Sequence, residues 1–255
     1  MRPDPSSWSA DLETVVLVPM LTGAYAVGAL LFPTPRWRAA AFASGLALIL
    51  AAFVSPLETL SIHYLLLAHL LQNVVLAEWA PALCVLGLPV AAAARAADLP
   101  LARPLTHPLV ALPVWLGTYF AWHLPWAYDA ALRRPDWLLH LEHLCYFGTG
   151  CLLWWSIVHE RPWRLTAGAK ALYLFAAFVL ASPLGLLLAL LPNPVYEVYE
   201  HAPRIGGLSA LTDQQLAGVT MAAEQAVVFF VVCTVQFSRF LQHESGREAF
   251  RTLSR

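Results

Sequence analysis

The chain has 255 residues, of which 59% are hydrophobic and 12% are charged, and its formal net charge is −1. This composition excludes an ordinary soluble domain. It also argues against nucleic-acid binding, because the chain has no basic stripe that could follow phosphates. Its 10 Trp and 19 Pro are typical of a protein that crosses a membrane several times, since aromatic residues gather at membrane interfaces and Pro is tolerated in membrane helices. We therefore predict an all-α integral membrane protein.

Seven apolar runs of roughly 20 residues, each near the length that crosses a bilayer, follow one another along the chain. They predict a single domain over residues 1–255, built as a bundle of seven transmembrane helices. The predicted spans are 13–32, 37–54, 59–80 (with an apolar extension to about 89), 108–122, 136–158, 169–191 and 212–237. Residues 1–12 precede the first span, and residues 238–255 follow the last span as a short basic tail.

The positive charges predict the orientation of this bundle, since Lys and Arg are enriched in cytoplasmic loops. With the N-terminus outside, eleven of the 15 Lys and Arg residues fall on the cytoplasmic side. Only Arg2, Arg133, Arg134 and Arg204 fall on the outer side. We therefore predict an outer N-terminal segment and a cytoplasmic C-terminal tail.

The stretch Ser55–Pro89 is unusual because it carries polar side chains within a predicted span. His69, Gln72 and Asn73 stand at i, i+3 and i+4, which places them on one face of a helix. Inserting an ionisable side chain into hydrocarbon costs roughly 2.5–3.5 kcal/mol, so this face is expected to contact polar groups of other helices. His63 begins the same predicted span, and His69 is expected roughly 9 Å deeper at 1.5 Å per residue.

Histidines also gather elsewhere towards the predicted outer side. His123 follows the fourth predicted span, and His140 and His143 begin the fifth at a spacing of three residues, so both face nearly the same way. In the seventh predicted span, Met221 and Glu224 lie at a depth comparable to that of the polar face described above. Imidazole nitrogen and thioether sulfur are ligands that copper accepts, Cu(I) in particular. The predicted metal ligands are His63, His69, His123, His140, His143 and Met221.

His140 and His143, with a third nitrogen from His63 or His69, would form a trigonal set suited to Cu(I), and Met221 would add a soft fourth donor. Other polar residues would orient these ligands or carry protons. They are Glu142, Asp213, Glu224, Gln72 and Asn73. Glu78, deeper in the third predicted span, is expected to be either a structural hydrogen-bonding group or a proton-relay carboxylate.

The residues alone leave other interpretations open. The histidines would also suit hydrogen bonding between helices without any ligand. A membrane zinc hydrolase would use three His for the metal and Glu142 or Asp213 to activate water, although no His-Glu-x-x-His motif is present. Histidine pairs from separate helices would also suit haem.

Short motifs follow one another in a fixed order along the chain. They are Ser55-Pro56-Leu57 before His63, His69 and Gln72 followed by Ala80-Pro81 and Leu86 to Pro89, Trp122-His123 with Pro125 and Tyr128, Glu142-His143 leading to Trp154-Trp155, Pro194 and Tyr196 with Tyr199, and Asp213-Gln214-Gln215 with Gly218 and Met221. As an ordered set over almost the whole chain, they resemble the CtaG-type cytochrome c oxidase assembly factors of bacteria. The chain departs from that pattern at Asn73, where many members have a second His. It also departs at Ala222-Ala223-Glu224, which replaces a run containing Trp and Pro.

The resemblance implies a seven-helix protein of the bacterial plasma (inner) membrane, needed to build active haem–copper oxidase. It implies a non-enzymatic role in supplying copper on the outer side. The expected partners are the lipid bilayer, cytochrome c oxidase subunits and a copper carrier on the outer side. The expected metal is copper, with zinc or haem as the alternatives.

Overall fold

A computed structural model describes the backbone of residues 3–253 and the side chains of residues 3–242. Within these residues the chain is helical and forms no strand. The helices are α1 (Glu13–Leu31), α2 (Arg36–Val54), α3 (Pro56–His63), α4 (Leu66–Gly87), α5 (Val90–Ala97), α6 (Ala102–Leu105), α7 (Pro108–Trp122), α8 (Pro125–Arg133), α9 (His140–Val158), α10 (Ala167–Leu190), α11 (Glu197–Glu200) and α12 (Ala210–Leu253). A π-helical segment, Pro135–Leu139, leads directly into α9. The ends of the predicted outer segment 1–12 and of the predicted basic tail 238–255 lie outside the described residues.

Five of these helices are long and apolar enough to cross a membrane, namely α1, α2, α4, α10 and the stretch Ala210–Gln242 of α12. At the fourth predicted span, α7 has 15 residues, fewer than the roughly 20 that a bilayer needs. At the fifth, α9 carries His140, Glu142 and His143, which reduce its apolar character. The chain is thus a multi-pass helical membrane protein with five candidate spans, and the two further spans and the orientation stay predictions.

The third predicted span, 59–80, is wrong at its start. The chain leaves helical geometry at Tyr64 and Leu65, and the candidate membrane-spanning helix α4 begins at Leu66. The Asp213 carboxylate of α12 accepts hydrogen bonds from the backbone N–H groups of Leu66 (2.8 Å) and Leu67 (3.1 Å). These N–H groups have no partner within their own helix, and Asp213 therefore fixes where α4 begins.

The helix α4 lies at the centre of the bundle. Among the 18 consecutive residues that form its most apolar stretch, 72% are buried, against 11% in the corresponding stretch of α1. His69, Gln72 and Asn73 are all buried on α4, which confirms that this polar face meets other protein groups. The α10 and α12 backbones approach closely at Gly185 and Gly218, where an added Cβ would clash with the opposite backbone. Such small-residue contacts are typical of helix pairs in membranes.

Candidate metal centre at Glu13, His140 and His143

The first turn of α1 brings a carboxylate to two of the predicted ligands. Glu13 Oε1 lies 2.7 Å from His140 Nδ1 and 2.8 Å from His143 Nδ1. The two histidines reach the same oxygen because their spacing of three residues places them on one face of α9. The three donor atoms lie within 4.8 Å of one another and form a group that could hold a metal ion. This confirms the predicted common direction of His140 and His143.

Burial of this group differs among its three members. Glu13 and His143 are almost completely buried, whereas the His140 side chain keeps 22% of its surface exposed. Glu13 Oε2 and His143 Nε2 are buried with no hydrogen-bond partner. Buried polar atoms are normally paired, so these two atoms are available to a ligand. His140 is therefore the accessible edge of the group and His143 its interior.

A second polar cluster lies next to His143 and is centred on His69. His69 Nδ1 lies 3.0 Å from the Tyr199 hydroxyl, which donates to the Ser61 carbonyl. The hydroxyl proton is thereby used, so His69 Nδ1 is the donor to Tyr199. His69 Nε2 faces Glu142 Oε1 at 3.7 Å.

The Glu142 carboxylate completes this second cluster. Asn73 Nδ2 donates to Glu142 Oε1 at 3.1 Å, while Glu142 Oε2 and His69 Nε2 are buried without partners. The ring centres of His69 and His143 are 6.3 Å apart. The acceptor that orients His140 and His143 is therefore Glu13, whereas Glu142 is placed against His69.

His123 lies beyond a layer of tyrosines. Its Nδ1 contacts the Tyr119 carbonyl at 2.7 Å and the Tyr146 hydroxyl at 3.1 Å, and its Nε2 is buried without a partner. The Tyr128 ring stands between the two histidines, 5.0 Å from the His69 ring and 5.9 Å from the His123 ring. His123 is thus separate from the Glu13 group.

Comparison with known protein families assigns the chain to one of them. The sequence model for the cytochrome c oxidase caa3 assembly factors matches residues 23–243. The chain belongs to this family. None of the curated proteins and none of the solved structures compared with the chain matches it. The matched segment of the assembly factor contains His140 and His143 and begins after Glu13.

The other predicted ligands of this assembly factor lie elsewhere. His63 ends α3, before the interruption of the helix at Tyr64 and Leu65, so it does not share a continuous helix with His69. The predicted separation of roughly 9 Å along one helix is therefore wrong. Its ring packs edge-on against Tyr64. Met221 is buried in the hydrophobic core of the bundle.

The supporting residues divide among different tasks. Asp213 accepts two backbone N–H groups at the start of α4. Gln72 donates to the Ala52 carbonyl at 2.8 Å and to the carboxyl group of Glu58. Glu224 accepts a hydrogen bond from the Trp79 indole. None of these contacts places Asp213, Gln72 or Glu224 on the Glu13 group.

Glu13 is the residue of this group that sequence reasoning missed. It occupies the first position of the first predicted span, where an acidic residue is usually interpreted as marking the boundary between membrane and water. A signal was present, because Asp11 and Glu13 precede a long apolar run on the same predicted side as His140 and His143. An acid at the mouth of a span is a candidate partner for histidines at the mouth of another span.

Proposed function

We propose that this assembly factor serves its oxidase by holding copper, as cargo, at Glu13, His140 and His143. The observation that carries the proposal is the single Glu13 oxygen at 2.7 and 2.8 Å from two imidazole nitrogens. The group offers two nitrogen donors, one oxygen donor and one negative charge. A bound cation would take the place of the protons on the two Nδ1 atoms.

The donor chemistry refines the expected metal. Imidazole suits copper as well as zinc, and a carboxylate oxygen is a harder donor than the predicted methionine sulfur. Two nitrogens and one oxygen therefore favour Cu(II) over Cu(I) compared with the set that includes Met221. The partly exposed His140 supplies the side from which copper would arrive or leave.

Metal analysis of the purified protein tests the site. The full chain in lipid nanodiscs is loaded with copper or zinc, dialysed, and assayed for metal content. We expect copper to be retained, and Glu13→Gln and His143→Ala to lower copper affinity by about 100-fold or more, because each removes a ligand; losses around a ligand already reach 10–100-fold.

The matched control is His201→Ala, since this exposed histidine contacts the Glu197 carbonyl within its own turn, away from the Glu13 group. It should retain copper as the unchanged chain does. Retention of copper by Glu13→Gln and His143→Ala would make the group a hydrogen-bonded contact between helices. Retention of zinc without copper would reject copper as the cargo.

We also propose the outer N-terminus, the cytoplasmic C-terminus and a bacterial plasma membrane location for the chain. Eleven of the 15 Lys and Arg residues support this orientation. Reporter fusions after Lys170 and after Arg255 should report the cytoplasm, and fusions within residues 193–207 should report the outer side. A cytoplasmic signal from residues 193–207 would reverse the orientation and place the Glu13 group on the inner side.

The proposed partners are cytochrome c oxidase subunits and a copper carrier on the outer side. A deletion strain should make oxidase polypeptides with low oxidase activity, and added copper should restore part of that activity. Complementation with the Glu13→Gln chain should fail, and complementation with the His201→Ala chain should succeed. Full activity in the deletion strain would remove copper supply as the role, whatever the purified protein binds.

A further inference from the structure

Two further glutamates meet inside the bundle, away from the Glu13 group. Glu78 of α4 is fully buried and Glu224 of α12 is partly buried. Two crossed contacts bring them together: Trp79, next to Glu78, donates its indole N–H to Glu224, and Gln225, next to Glu224, donates its amide N–H to Glu78. An ionised carboxylate only accepts hydrogen bonds, so two carboxyl groups bond to each other only when one of them holds a proton.

The hydrogen bonds around the two glutamates leave some acceptor oxygens without a donor. Gln225 Nε2 donates to Glu78 Oε1 and to the Tyr119 hydroxyl, each at 2.9 Å, and the Trp79 indole donates to Glu224 Oε1. The remaining oxygens, Glu78 Oε2, Glu224 Oε2 and Gln225 Oε1, are buried without a donor. The titratable groups that face Glu78 among the described side chains are Glu224 and Tyr119. Acceptor oxygens therefore outnumber donors here.

We propose that Glu78 and Glu224 share one proton and form a proton-binding site within the membrane, with Glu224 as the member that exchanges the proton. Neighbouring charges do not supply the missing positive charge, and an unpaired buried carboxylate in hydrocarbon is costly. A proton held between the two carboxyl groups removes the repulsion between them and satisfies an unpartnered oxygen.

The exchange side follows from the shape of the bundle. A cavity of about 440 Å³ borders Glu224 and is lined by Trp79, Val219, Thr220, Ala223, Val227 and Val228. Val219 and Val227 are exposed on the outside of α12, so this cavity opens on the surface of the bundle. Glu78, in contrast, is closed off.

Gln225 fixes the pair on the side that faces the interior of the bundle. Its amide nitrogen donates to both Glu78 and Tyr119, and an amide N–H does not pass a proton on as a carboxyl group does. Tyr119 in turn contacts His123 through its carbonyl oxygen. The proton is therefore stored at the pair and exchanged through Glu224, and Gln225 separates it from the histidines.

Infrared spectroscopy of the protein in nanodiscs tests the shared proton. We expect a carbonyl stretching band of a protonated carboxyl group at neutral pH that shifts in heavy water and is lost or shifted in both Glu78→Gln and Glu224→Gln. Glutamine keeps the side-chain volume in each variant. Glu197→Gln is the matched control, since this exposed acid pairs with Arg133, and it should leave the band unchanged. A spectrum in which neither variant alters a protonated-carboxyl band would overturn the proposal.

Labelling with a lipid-soluble carbodiimide, which adds to protonated carboxyl groups, tests the exchange side. Mass spectrometry should find the adduct on Glu224, with less adduct as the pH rises and none in Glu224→Gln. Thr220→Val, on the wall of the same cavity, should be labelled normally. Protection by sodium at constant pH would show a metal cation site in place of a proton site, and adduct on Glu78 alone would reverse the roles. Copper retention at Glu13 should be unchanged in all these variants, so this proposal and the copper proposal fail separately.

Discussion

The Glu13 group and the Glu78–Glu224 pair both place a buried glutamate inside the bundle, but the partners differ. Glu13 meets two imidazole nitrogens, at 2.7 and 2.8 Å. Glu78 meets a second carboxyl group and a neutral amide. Imidazoles can carry positive charge or yield their lone pairs to a metal, whereas a second carboxyl group brings no positive charge and can share a proton with the first. The same residue type therefore suits a metal at one position and a proton at the other.

The comparison extends to four further acids among the described residues. Asp213 meets backbone N–H groups, Glu58 meets an acid and an amide, Glu142 meets a histidine and an amide, and Glu197 meets a guanidinium at the surface. If partner and burial decide what an acid does, replacing each one should have an effect of a different kind and size. The largest effect is expected where the acid holds the start of a helix, and the smallest where it lies at the surface.

Asp213→Ala should have the largest effect on stability. It leaves the buried N–H group of Leu66 and the half-buried N–H group of Leu67 without acceptors at the start of α4. Hydrogen bonds to charged groups contribute roughly 1.5–3 kcal/mol each, so we expect the loss of two to lower the free energy of unfolding by roughly 3–6 kcal/mol. Thermal or denaturant unfolding in detergent measures it. Asp213→Asn keeps one acceptor oxygen and should lose about half as much; an unchanged Asp213→Ala protein would mean that α4 begins at Leu66 without help from α12.

This capping contact also shows where sequence reasoning ends. Apolar runs of bilayer length located all five candidate spans, the third with a wrong start, and the spacing of His69, Gln72 and Asn73 predicted their buried polar face. The break at Tyr64 and Leu65 was not predictable in this way. The sequence there stays apolar, and the group that stabilises the break lies 147 positions later in the chain.

Only part of the Glu13 group was predictable from the sequence. The spacing of His140 and His143 revealed their common direction, because a periodic pattern within one helix is local information. Glu13 joins them across 127 and 130 positions, and only the placement of the first turn of α1 beside α9 decides that contact. The deep position expected for His69 relative to His63 failed for the same reason, since one break changes every depth counted along a helix.

Glu58→Gln should change the pH dependence of stability. Burial, followed by the neighbouring Asp11 carboxylate, raises the pKa of Glu58 from 4.5 to about 10. The folded protein therefore holds this proton between those values while the unfolded chain releases it, and the free energy of unfolding falls as pH rises through that window. The slope is roughly 1.4 kcal/mol per pH unit, or about 2–3 kcal/mol between pH 6 and pH 8.

Unfolding midpoints measured at several pH values between 5 and 9 would reveal this slope. In Glu58→Gln it should largely disappear, because glutamine keeps the neutral shape and does not titrate. The same slope in both proteins would mean that Glu58 is ionised in the folded state. Its partners, Gln72 and Asp11, would then have to be arranged around a charge.

Glu142→Gln should have a smaller effect, on copper affinity. Glu142 contacts His69 and Asn73, and its contacts do not include the ligands of the Glu13 group. We expect copper affinity to fall by less than about tenfold, equivalent to roughly 1.4 kcal/mol, against about 100-fold or more for Glu13→Gln. Titration of the purified chain with copper measures both. A larger loss in Glu142→Gln than in Glu13→Gln would move the metal site to His69, Glu142 and the inner face of His143.

Glu197→Gln should have the smallest effect of all. The Arg133 guanidinium lowers the pKa of Glu197, but both side chains are more than half exposed, and water and salt screen such pairs. The turn that carries Glu197 is held by another acid, since Asp129 accepts hydrogen bonds from the backbone N–H groups of Glu197 (3.2 Å) and Val198 (3.1 Å). Glu197→Gln should therefore leave the unfolding midpoint unchanged at low and at high salt, whereas Asp129→Ala should lower it at both. A salt-dependent loss of stability in Glu197→Gln would show that an exposed pair contributes as much as a buried acid, and burial would no longer explain the differences among the acids of this chain.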